Sequence, residues 1–306
     1  MKTLIGLLLG LAATASWGSF YVAGRWLFGE EGANFNIFLF TFLRFFLAAL
    51  TLSGLLIAKK NRKKLCQALK EDWKSFLLIS LIGIVMESFL AFYALNFTTA
   101  SRGSLMANFS PVSTVILAYF LLGEKTTKCG IAGMLLGFCG IILAGSARGG
   151  DIYAGTSLRT ILGDGMALAS GFCWSYFTVA GVDVSNKYGG AFCMLMAFAF
   201  GTILTAPVMF FVPVSEIAAI PPRVWGGMIY TGIVTLALAN ACWYGALRYL
   251  KPGILGAFGY LSAAITFTLS SILLKEKFTL QFIIALLLIF GGMSLMMKKT
   301  KHSKEV

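Results

Sequence analysis

Two ionisable side chains of opposite charge, Arg44 and Glu87, lie inside long apolar runs of the sequence. Charged groups within a bilayer are costly, so they face a partner or a water-filled cavity. If the two runs are consecutive antiparallel helices, both residues lie about 12–15 Å from the same membrane surface, at 1.5 Å per residue. They could form a cavity-facing pair that binds substrate or carries a proton. They could equally form a structural ion pair that joins two helices, and the sequence leaves both interpretations open.

Aromatic and amide side chains within the apolar runs are further candidates for lining a cavity. Trp17 and Trp174 combine an apolar ring with a polar N–H, which suits a site that must orient a polar group in apolar surroundings. They could instead pack the helix bundle or lie in the aromatic belt at the membrane surface. Six further polar residues in these runs are candidates: Tyr21, Asn96, Asn108, Asn240, Tyr244 and Tyr260. Each of these six could instead join neighbouring helices by a hydrogen bond. Pro111 interrupts a run and permits a kink, so it is a candidate hinge.

Several kinds of chemistry are excluded by what the sequence lacks. The single histidine, His302, excludes a Ser-His triad and a histidine-based metal site. The six cysteines form no CxxC pair and are interpreted as small buried apolar residues. Neither HExxH nor GxSxG occurs, and GxxxxGK[ST] is also absent, so we expect no ATP-driven transport by this chain. We therefore expect no catalytic residues, no metal and no cofactor.

Composition points to a membrane protein. The 306 residues are 58% hydrophobic and 12% charged, and the mean hydropathy is +0.84. With about half the usual share of charged residues, most helices cannot present a solvated face, which excludes a soluble globular protein. The net charge of +13 is typical of basic loops on the inner side of a membrane, so we expect no nucleic-acid partner.

Ten apolar runs have lengths near the ~20 residues that a helix needs to cross a bilayer. They cover residues 4–28, 36–58, 75–97, 103–122, 129–146, 159–181, 190–212, 224–247, 253–274 and 279–297. The predicted fold is an all-α integral membrane protein with ten transmembrane helices. Lys2 and the small residues at 13–16 resemble the basic start and the cleavage site of a signal peptide. The apolar run continues past them, so we expect the first helix to be retained.

The sequence repeats itself at half its length. A shift of 157 residues places Trp17 on Trp174, and a shift of 152 places Ser110 on Ser262. The predicted halves are 1–147 and 158–306, with a linker at 148–157. Because five helices are an odd number, the second half enters the membrane from the opposite side. Such inverted repeats are typical of secondary transporters with a central site, although a duplicated bundle without transport is the alternative.

Lys and Arg residues are distributed unequally between the two predicted sides. One side, which includes both termini, holds 17 of the 25 and the other holds 7. The positive-inside rule then predicts cytoplasmic termini and a location in the plasma (inner) membrane. Residues 59–74 form an amphipathic stretch with Leu65, Leu69 and Trp73 on one helical face. It is predicted to lie on anionic lipid, with docking of a partner as the alternative.

Several motifs resemble a known family. They are ASWGSFYVAGR at 15–25, FLRFFLAAL at 42–50, FYALNFTTAS at 92–101, NFSPVSTVILAYFLLGEKTT at 108–127, GALRYLKPG at 245–253 and ILLKEKFT at 272–279. The chain resembles the EamA-like family of the drug/metabolite transporter superfamily over nearly its whole length. Two departures are plain: Ala263 stands at the position matched with Pro111, and the second half has no counterpart of Arg44.

The resemblance implies export of small organic metabolites such as amino acids or related compounds, by alternating access around a cavity between the repeats. Import, or transport of a drug or sugar-like compound, is the alternative within transport, and a membrane scaffold is the alternative outside it. The expected partners are the lipid bilayer, the substrate and, if Glu87 titrates, protons. Glycines 130, 133, 137 and 140 favour close helix packing, either within the fold or in a homodimer.

Overall fold

A computed structural model describes residues 2–28, 36–56, 59–94, 96–98, 100–146, 157–218, 220–273 and 280–297. Within these ranges the backbone forms helices and connecting turns, with no strand. Seven of the described helical segments are long and apolar enough to cross a membrane, and shorter apolar helices cover Lys128–Leu143 and Ile283–Met297. The all-helical membrane architecture predicted from the apolar runs is confirmed.

The helices of the first half follow the predicted runs closely. They are α1 (Lys2–Phe28), α2 (Ile37–Leu56), α3 (Lys59–Glu71), α4 (Trp73–Ser80), α5 (Glu87–Ala94), α6 (Ala100–Ala107), α7 (Ser110–Leu122) and α8 (Lys128–Ser146). A π-helical stretch, Leu81–Met86, joins α4 to α5, so that these pieces form one span. The amphipathic stretch forms α3 and turns at Asp72 into that span.

The second half contains one long helix and several shorter ones. They are α9 (Leu158–Tyr188), α10 (Gly190–Thr205), α11 (Val214–Ala218), α12 (Pro222–Tyr230), α13 (Ala239–Ala246), α14 (Pro252–Leu273) and α15 (Leu280–Met297). A 3₁₀ stretch, Ala206–Phe211, extends α10. A second π-helical stretch, Thr231–Leu238, joins α12 to α13. The two π-helical stretches thus occupy the third apolar span of each half.

Helix α9 continues to Tyr188, beyond the predicted end at residue 181. The polar residues of its last turns find partners in other helices, which the sequence pattern does not reveal. The Ser185 hydroxyl donates to the carbonyl oxygen of Tyr244, and the Lys187 ammonium donates to Asp72 at 2.7 Å. The helix ends at Gly189, whose φ of 89° lies in the region that favours glycine.

The fourth predicted run divides into α6 and α7 at Asn108 and Phe109. Pro111 lies in the first turn of α7, where its missing N–H leaves no helical hydrogen bond unmade. In the second half, α14 runs unbroken through the matched residue Ala263. Pro111 therefore starts a helix rather than bending one in its middle, and a hinge motion there stays a prediction.

The helices pack in pairs that correspond between the two halves. α1 packs against α13 and α14, whereas α9 packs against α5 and against α6 and α7. Two further large contacts join α2 to α10 and α8 to α15. Helix α5 belongs to the third span of the first half, and α13 belongs to the third span of the second half. Exchanging the two halves therefore preserves this set of pairs.

The glycine-rich face of α8 packs against neighbouring helices within the chain. A Cβ atom on Gly133 would lie 2.4 Å from the carbonyl oxygen of Gly292 in α15. A Cβ atom on Gly137 would lie 2.6 Å from the ring of Tyr260 in α14. Close approach of α8 to these helices therefore requires glycine, because the Gly292 contact is with backbone that has no side-chain freedom to move.

We predict that Gly133→Val destabilises the bundle by about 1–3 kcal/mol, the usual cost of overpacking. Thermal unfolding of the purified protein in detergent measures the effect. Gly165→Val is the matched control, since a Cβ at Gly165 meets nothing within 4 Å and the change in helix propensity is the same. An equal loss of melting temperature in both variants would show that the α8–α15 contact is not tight.

Candidate functional site

Three tryptophan side chains meet between the two halves. Trp17 lies midway along α1, Trp174 midway along α9, and Trp243 in α13. The ring centroid of Trp17 is 4.9 Å from that of Trp174, nearly edge-on, and 5.0 Å from that of Trp243. Trp243 is fully buried, whereas Trp17 and Trp174 are partly exposed. The two tryptophans that the internal repeat matches are therefore in contact, in the edge-to-face arrangement that aromatic rings prefer.

Thr235, in the second π-helical stretch, connects this cluster to Arg44. The indole Nε1 of Trp17 donates to the Thr235 carbonyl oxygen at 2.9 Å, and Arg44 Nη2 donates to the Thr235 hydroxyl at 3.5 Å. In a regular α-helix the amide of Ala239 would bond to that carbonyl. Here it bonds to the carbonyls of Leu236 and Val234 instead. The π-helical distortion thus helps to make the Thr235 carbonyl available to α1.

Arg44 is 9% exposed, and its guanidinium lies between two aromatic rings. Its central carbon is 5.1 Å from the ring centroid of Phe20 and 5.0 Å from that of Phe40. Aromatic faces attract a cation, and this attraction strengthens when water is excluded. Arg44 is therefore held among α1, its own helix α2 and the π-helical stretch that contains Thr235.

Glu87 is the first residue of α5, directly after the first π-helical stretch, and it is partly exposed. Its carboxylate accepts a hydrogen bond from the Ser88 hydroxyl at 3.2 Å. Arg44 and Glu87 are close enough to interact electrostatically, as are Glu87 and Cys173 of α9. In the described part of the chain, however, the direct contacts of Arg44 and Glu87 join each residue to other groups rather than to one another.

Three predicted candidates are buried and bonded to backbone carbonyls. The hydroxyl of Tyr244 donates to the Phe177 carbonyl at 2.6 Å, and the hydroxyl of Tyr260 donates to the Met134 carbonyl at 3.3 Å. The amide of Asn240 donates to the Leu236 carbonyl of its own helix at 2.9 Å. The two tyrosine contacts are those expected of residues that fasten helices together, whereas the Asn240 contact lies within one helix.

The remaining amide candidates lie in the turns that follow α5 and α6. Asn96 is exposed in the turn after α5, where its carbonyl accepts from Arg159 at 2.9 Å. Asn108 is partly buried at the break between α6 and α7. The side chain of Tyr21 lies outside the described part of the structure.

A cluster of hydroxyl groups joins α7 to α9 near the break. Ser175 donates to the Ser110 carbonyl at 2.8 Å, and its oxygen lies 2.7 Å from the Ser113 hydroxyl and 3.1 Å from that of Thr114. Ser113, Thr114 and Ser175 are at most 1% exposed. Because lipid offers no hydrogen bonds, such groups must satisfy one another inside the bundle.

One end of α9 is fixed to the first half by an ion pair. Arg102 of α6 donates to both carboxylate oxygens of Asp164, with Nη2 at 2.5 Å and Nε at 3.1 Å from Oδ2. The Thr98 hydroxyl also donates to Asp164 at 2.6 Å. Asp164 therefore connects α9 to α6 and to the turn before it.

The other end of α9 is fixed to the first half by a second set of charges, here called the Lys187 clamp. The Lys187 ammonium lies 2.7 Å from a carboxylate oxygen of Glu71 and 2.7 Å from one of Asp72. The Tyr188 hydroxyl donates to Asp72 at 2.6 Å. The hydrogen bond from Lys187, and then that from Tyr188, lowers the pKa of the Asp72 carboxyl.

Two residues of the central cluster, Thr235 and Trp243, are not apparent from the sequence. The internal repeat matches them with Gly83 and Ala91, so the repeat does not draw attention to either position. Trp243 Nε1 donates to the Thr178 hydroxyl at 3.1 Å and holds α13 on α9. A search for polar aromatic residues on the third span of each half could have found Trp243, but no sequence signal indicates Thr235.

Together these residues place aromatic faces, a hydroxyl, a guanidinium and a carboxylate in one region between the halves. Such a region suits a small organic molecule with an apolar part and a charged or polar group. Within the described ranges no group of three or more His, Cys, Asp or Glu residues could hold a metal ion.

Comparisons with known proteins agree with this architecture. The sequence model of the EamA-like transporter family matches residues 4–146 and 161–298. An uncharacterized transporter of Archaeoglobus fulgidus is 28% identical over 256 residues, which are 83% of this chain and 86% of that protein. The uncharacterized transporter YetK of Bacillus subtilis is 26% identical over 304 residues, covering 99% of this chain and 90% of YetK.

A solved crystal structure has a similar fold. It superposes with a TM-score of 0.78 over 95% of this chain and 96% of its own, with 21% sequence identity. At that identity the similarity concerns the fold alone.

We predict that Trp17→Phe is more destabilising than Trp174→Phe, by about 1 kcal/mol. Both variants keep an aromatic ring, but only the first removes an indole hydrogen bond to a protein carbonyl, and that is the typical value of one such bond. Thermal unfolding in detergent gives the comparison. Equal melting temperatures for the two variants would mean that the bond to Thr235 does not help to hold α1 in place.

Proposed function

Because the chain belongs to the EamA-like transporter family, we propose that it is a secondary transporter that moves small organic metabolites through a central site between its two halves. The observation that carries this proposal is the meeting of Trp17 and Trp174 beside Thr235, which also bonds to Arg44. Residues from both halves thereby contribute to one partly exposed region midway along the spans, which is where secondary transporters bind their substrates.

The proposed architecture is ten transmembrane helices in two inverted repeats, residues 1–147 and 158–306, joined at 148–157. The corresponding helix pairs α1–α14 and α9–α7, and α1–α13 and α9–α5, support this relation between the halves. Two equivalent halves can exchange conformations, which gives inward-open and outward-open states of similar energy. Alternating access around the tryptophan cluster follows from that exchange.

Cytoplasmic termini in a plasma (inner) membrane are part of the same proposal, supported by the distribution of Lys and Arg. In this orientation the Lys187 clamp lies at the cytoplasmic end of α9, and the Asp164–Arg102 pair lies at the outer end. Both sets of contacts join one half to the other. We assign them as the two gates of the transporter. The Lys187 clamp must open for access from the cytoplasm, and the Asp164–Arg102 pair must open for access from outside.

The chemistry of the site favours a substrate that carries both an apolar part and a charge. The partly exposed faces of Trp17 and Trp174 suit the apolar part, and Arg44 and Glu87 offer one charge of each sign. Amino acids and related compounds have this character, and export is the proposed direction. Protons are the proposed coupling ion, because Glu87 is a carboxyl group without a direct contact to Arg44 among the described residues.

The experiment that tests the proposal is solute flux in liposomes that contain the purified protein. Efflux of candidate amino acids is measured with and without a pH gradient of either sign, against empty liposomes and against liposomes containing the Trp17→Ala/Trp174→Ala protein. Flux that requires the protein and the two tryptophans supports a transporter with this site. Absence of flux for every class of metabolite in a folded protein would support the scaffold alternative.

We predict that Glu87→Gln folds normally but flattens the pH dependence of transport. The amide keeps the size of the side chain and its contact with Ser88 but cannot exchange a proton. The readout is flux between about pH 5 and pH 8. The Lys187 clamp is not expected to contribute to this pH dependence, because the hydrogen bonds from Lys187 and Tyr188 hold the pKa of the Asp72 carboxyl below its usual value.

Two outcomes would contradict the coupling role of Glu87. One is an unchanged pH profile in a well-folded Glu87→Gln protein. The other is loss of folded Glu87→Gln protein together with rescue by a second neutralisation, Arg44→Gln, which would identify a structural ion pair. Removing one member of such a pair would leave a buried charge uncompensated, at a cost of about 3–5 kcal/mol.

We predict that Lys187→Asp opens the cytoplasmic end of α9. The variant places a third carboxylate beside Glu71 and Asp72, and a Val184→Cys reporter, introduced at a site that is 4% exposed, then becomes accessible to an aqueous thiol reagent. The labelling rate should rise about two- to fivefold, since an exposed ion pair contributes up to ~1 kcal/mol. All measurements use a background from which the native cysteines are removed.

The charge-swapped protein Asp72→Lys/Lys187→Asp should restore slow labelling, because the opposite charges face each other again. Lys128→Asp, a change of equal charge outside the clamp, serves as the control. Fast labelling in the charge-swapped protein, or an equal increase in the control, would contradict the assignment of the clamp as a gate.

A further inference from the structure

Helix α3, with the sequence KKNRKKLCQALKE, contains six Lys or Arg residues and one acid, Glu71. The proposed transport site does not use it. Its positive charge is concentrated in thirteen residues that lead directly into the span Trp73–Ala94. The C-terminal end of α3 therefore lies at the level where this apolar span begins.

The apolar side chains of α3 are largely uncovered by the rest of the protein. Leu65 is 39% exposed and Leu69 is 47% exposed, and Trp73, at the start of α4, is 42% exposed. Ala68, by contrast, is fully buried and fixes the helix to the bundle. Exposed leucines beside a membrane span lie where lipid can cover them, so α3 fits the interface between headgroups and acyl chains.

The acidic groups nearest to α3 are already engaged. Glu71 accepts from Lys187 and from Gln67, and Asp72 accepts from Lys187 and Tyr188. In the described part of α3, no acid lies within ion-pair distance of Lys63, Lys64 or Lys70. The Lys187 clamp thus compensates the acids and leaves the positive charge of α3 available to a group outside the chain.

We propose that α3 is a binding surface for anionic phospholipids of the bilayer. The lysine ammonium groups would contact the phosphates of the headgroups, while Leu65 and Leu69 insert between the acyl chains. Phosphate is the natural partner of a lysine-rich helix at a membrane surface, and each Lys or Arg adds to the attraction. This inference requires only that the chain spans a bilayer, so it does not rest on the proposed transport.

The test is native mass spectrometry of the full-length protein in detergent, titrated with phosphatidylglycerol or with phosphatidylcholine of the same chain length. The wild-type protein should bind phosphatidylglycerol more tightly, and the difference should shrink as the ionic strength rises. The variant Lys63→Gln/Lys64→Gln/Lys70→Gln should bind phosphatidylglycerol at least about tenfold more weakly, because three charges are lost.

The control Lys125→Gln/Lys128→Gln/Arg248→Gln removes the same charge from other connecting segments. It should bind phosphatidylglycerol like the wild-type protein. A second variant, Leu65→Ser/Leu69→Ser, should bind both lipids more weakly, since insertion between the acyl chains does not depend on headgroup charge. Equal affinity of the wild-type protein for the two lipids, or equal losses in the α3 variant and the control, would overturn the proposal.

Discussion

The close approach of α9 to the first half of the chain is the constraint on which most of the structure depends. Lipid tails are as apolar as leucine, so helices in a bilayer associate through tight packing and hydrogen bonds rather than through the hydrophobic effect. A Cβ on Gly171 would lie 2.7 Å from the Ala107 carbonyl oxygen, and Ser175 bonds to Ser110 in α7. Small or hydrogen-bonding residues at these positions allow α9 to reach α6 and α7.

From this position α9 supports three separate features. Its middle carries Trp174 and Phe177, whose ring centroids are 5.1 Å apart, and Phe177 in turn packs on Tyr244 of α13 at 4.7 Å. Its two ends carry Asp164 and Lys187, which bind charged groups of the first half. A single helix therefore holds the central aromatic cluster and both charged ends, so a tilt of α9 would act on all three together.

The two halves share a plan of packing but differ in their polar groups. Glu87 is matched by Ala239 and Thr235 by Gly83. No Lys or Arg of the second half corresponds to Arg44, and Pro111, which starts α7, is matched by Ala263 in the unbroken α14. For the proposed transporter these differences have a physical meaning. A symmetrical framework gives two states of similar energy, whereas an asymmetrical set of charges gives a substrate one preferred orientation.

The sequence by itself determined the class of protein, the positions of most helices and the match of Trp17 with Trp174 in the internal repeat. It could do so because a bilayer demands long apolar runs and because duplication leaves matched residues. The tertiary structure decided the length of α9, the break at Asn108 and the role of Thr235. Thr235 bonds to Trp17 and Arg44 across separations of 218 and 191 residues. Such contacts depend on which helices become neighbours in space, and the local pattern of apolar residues does not determine which helices pack together.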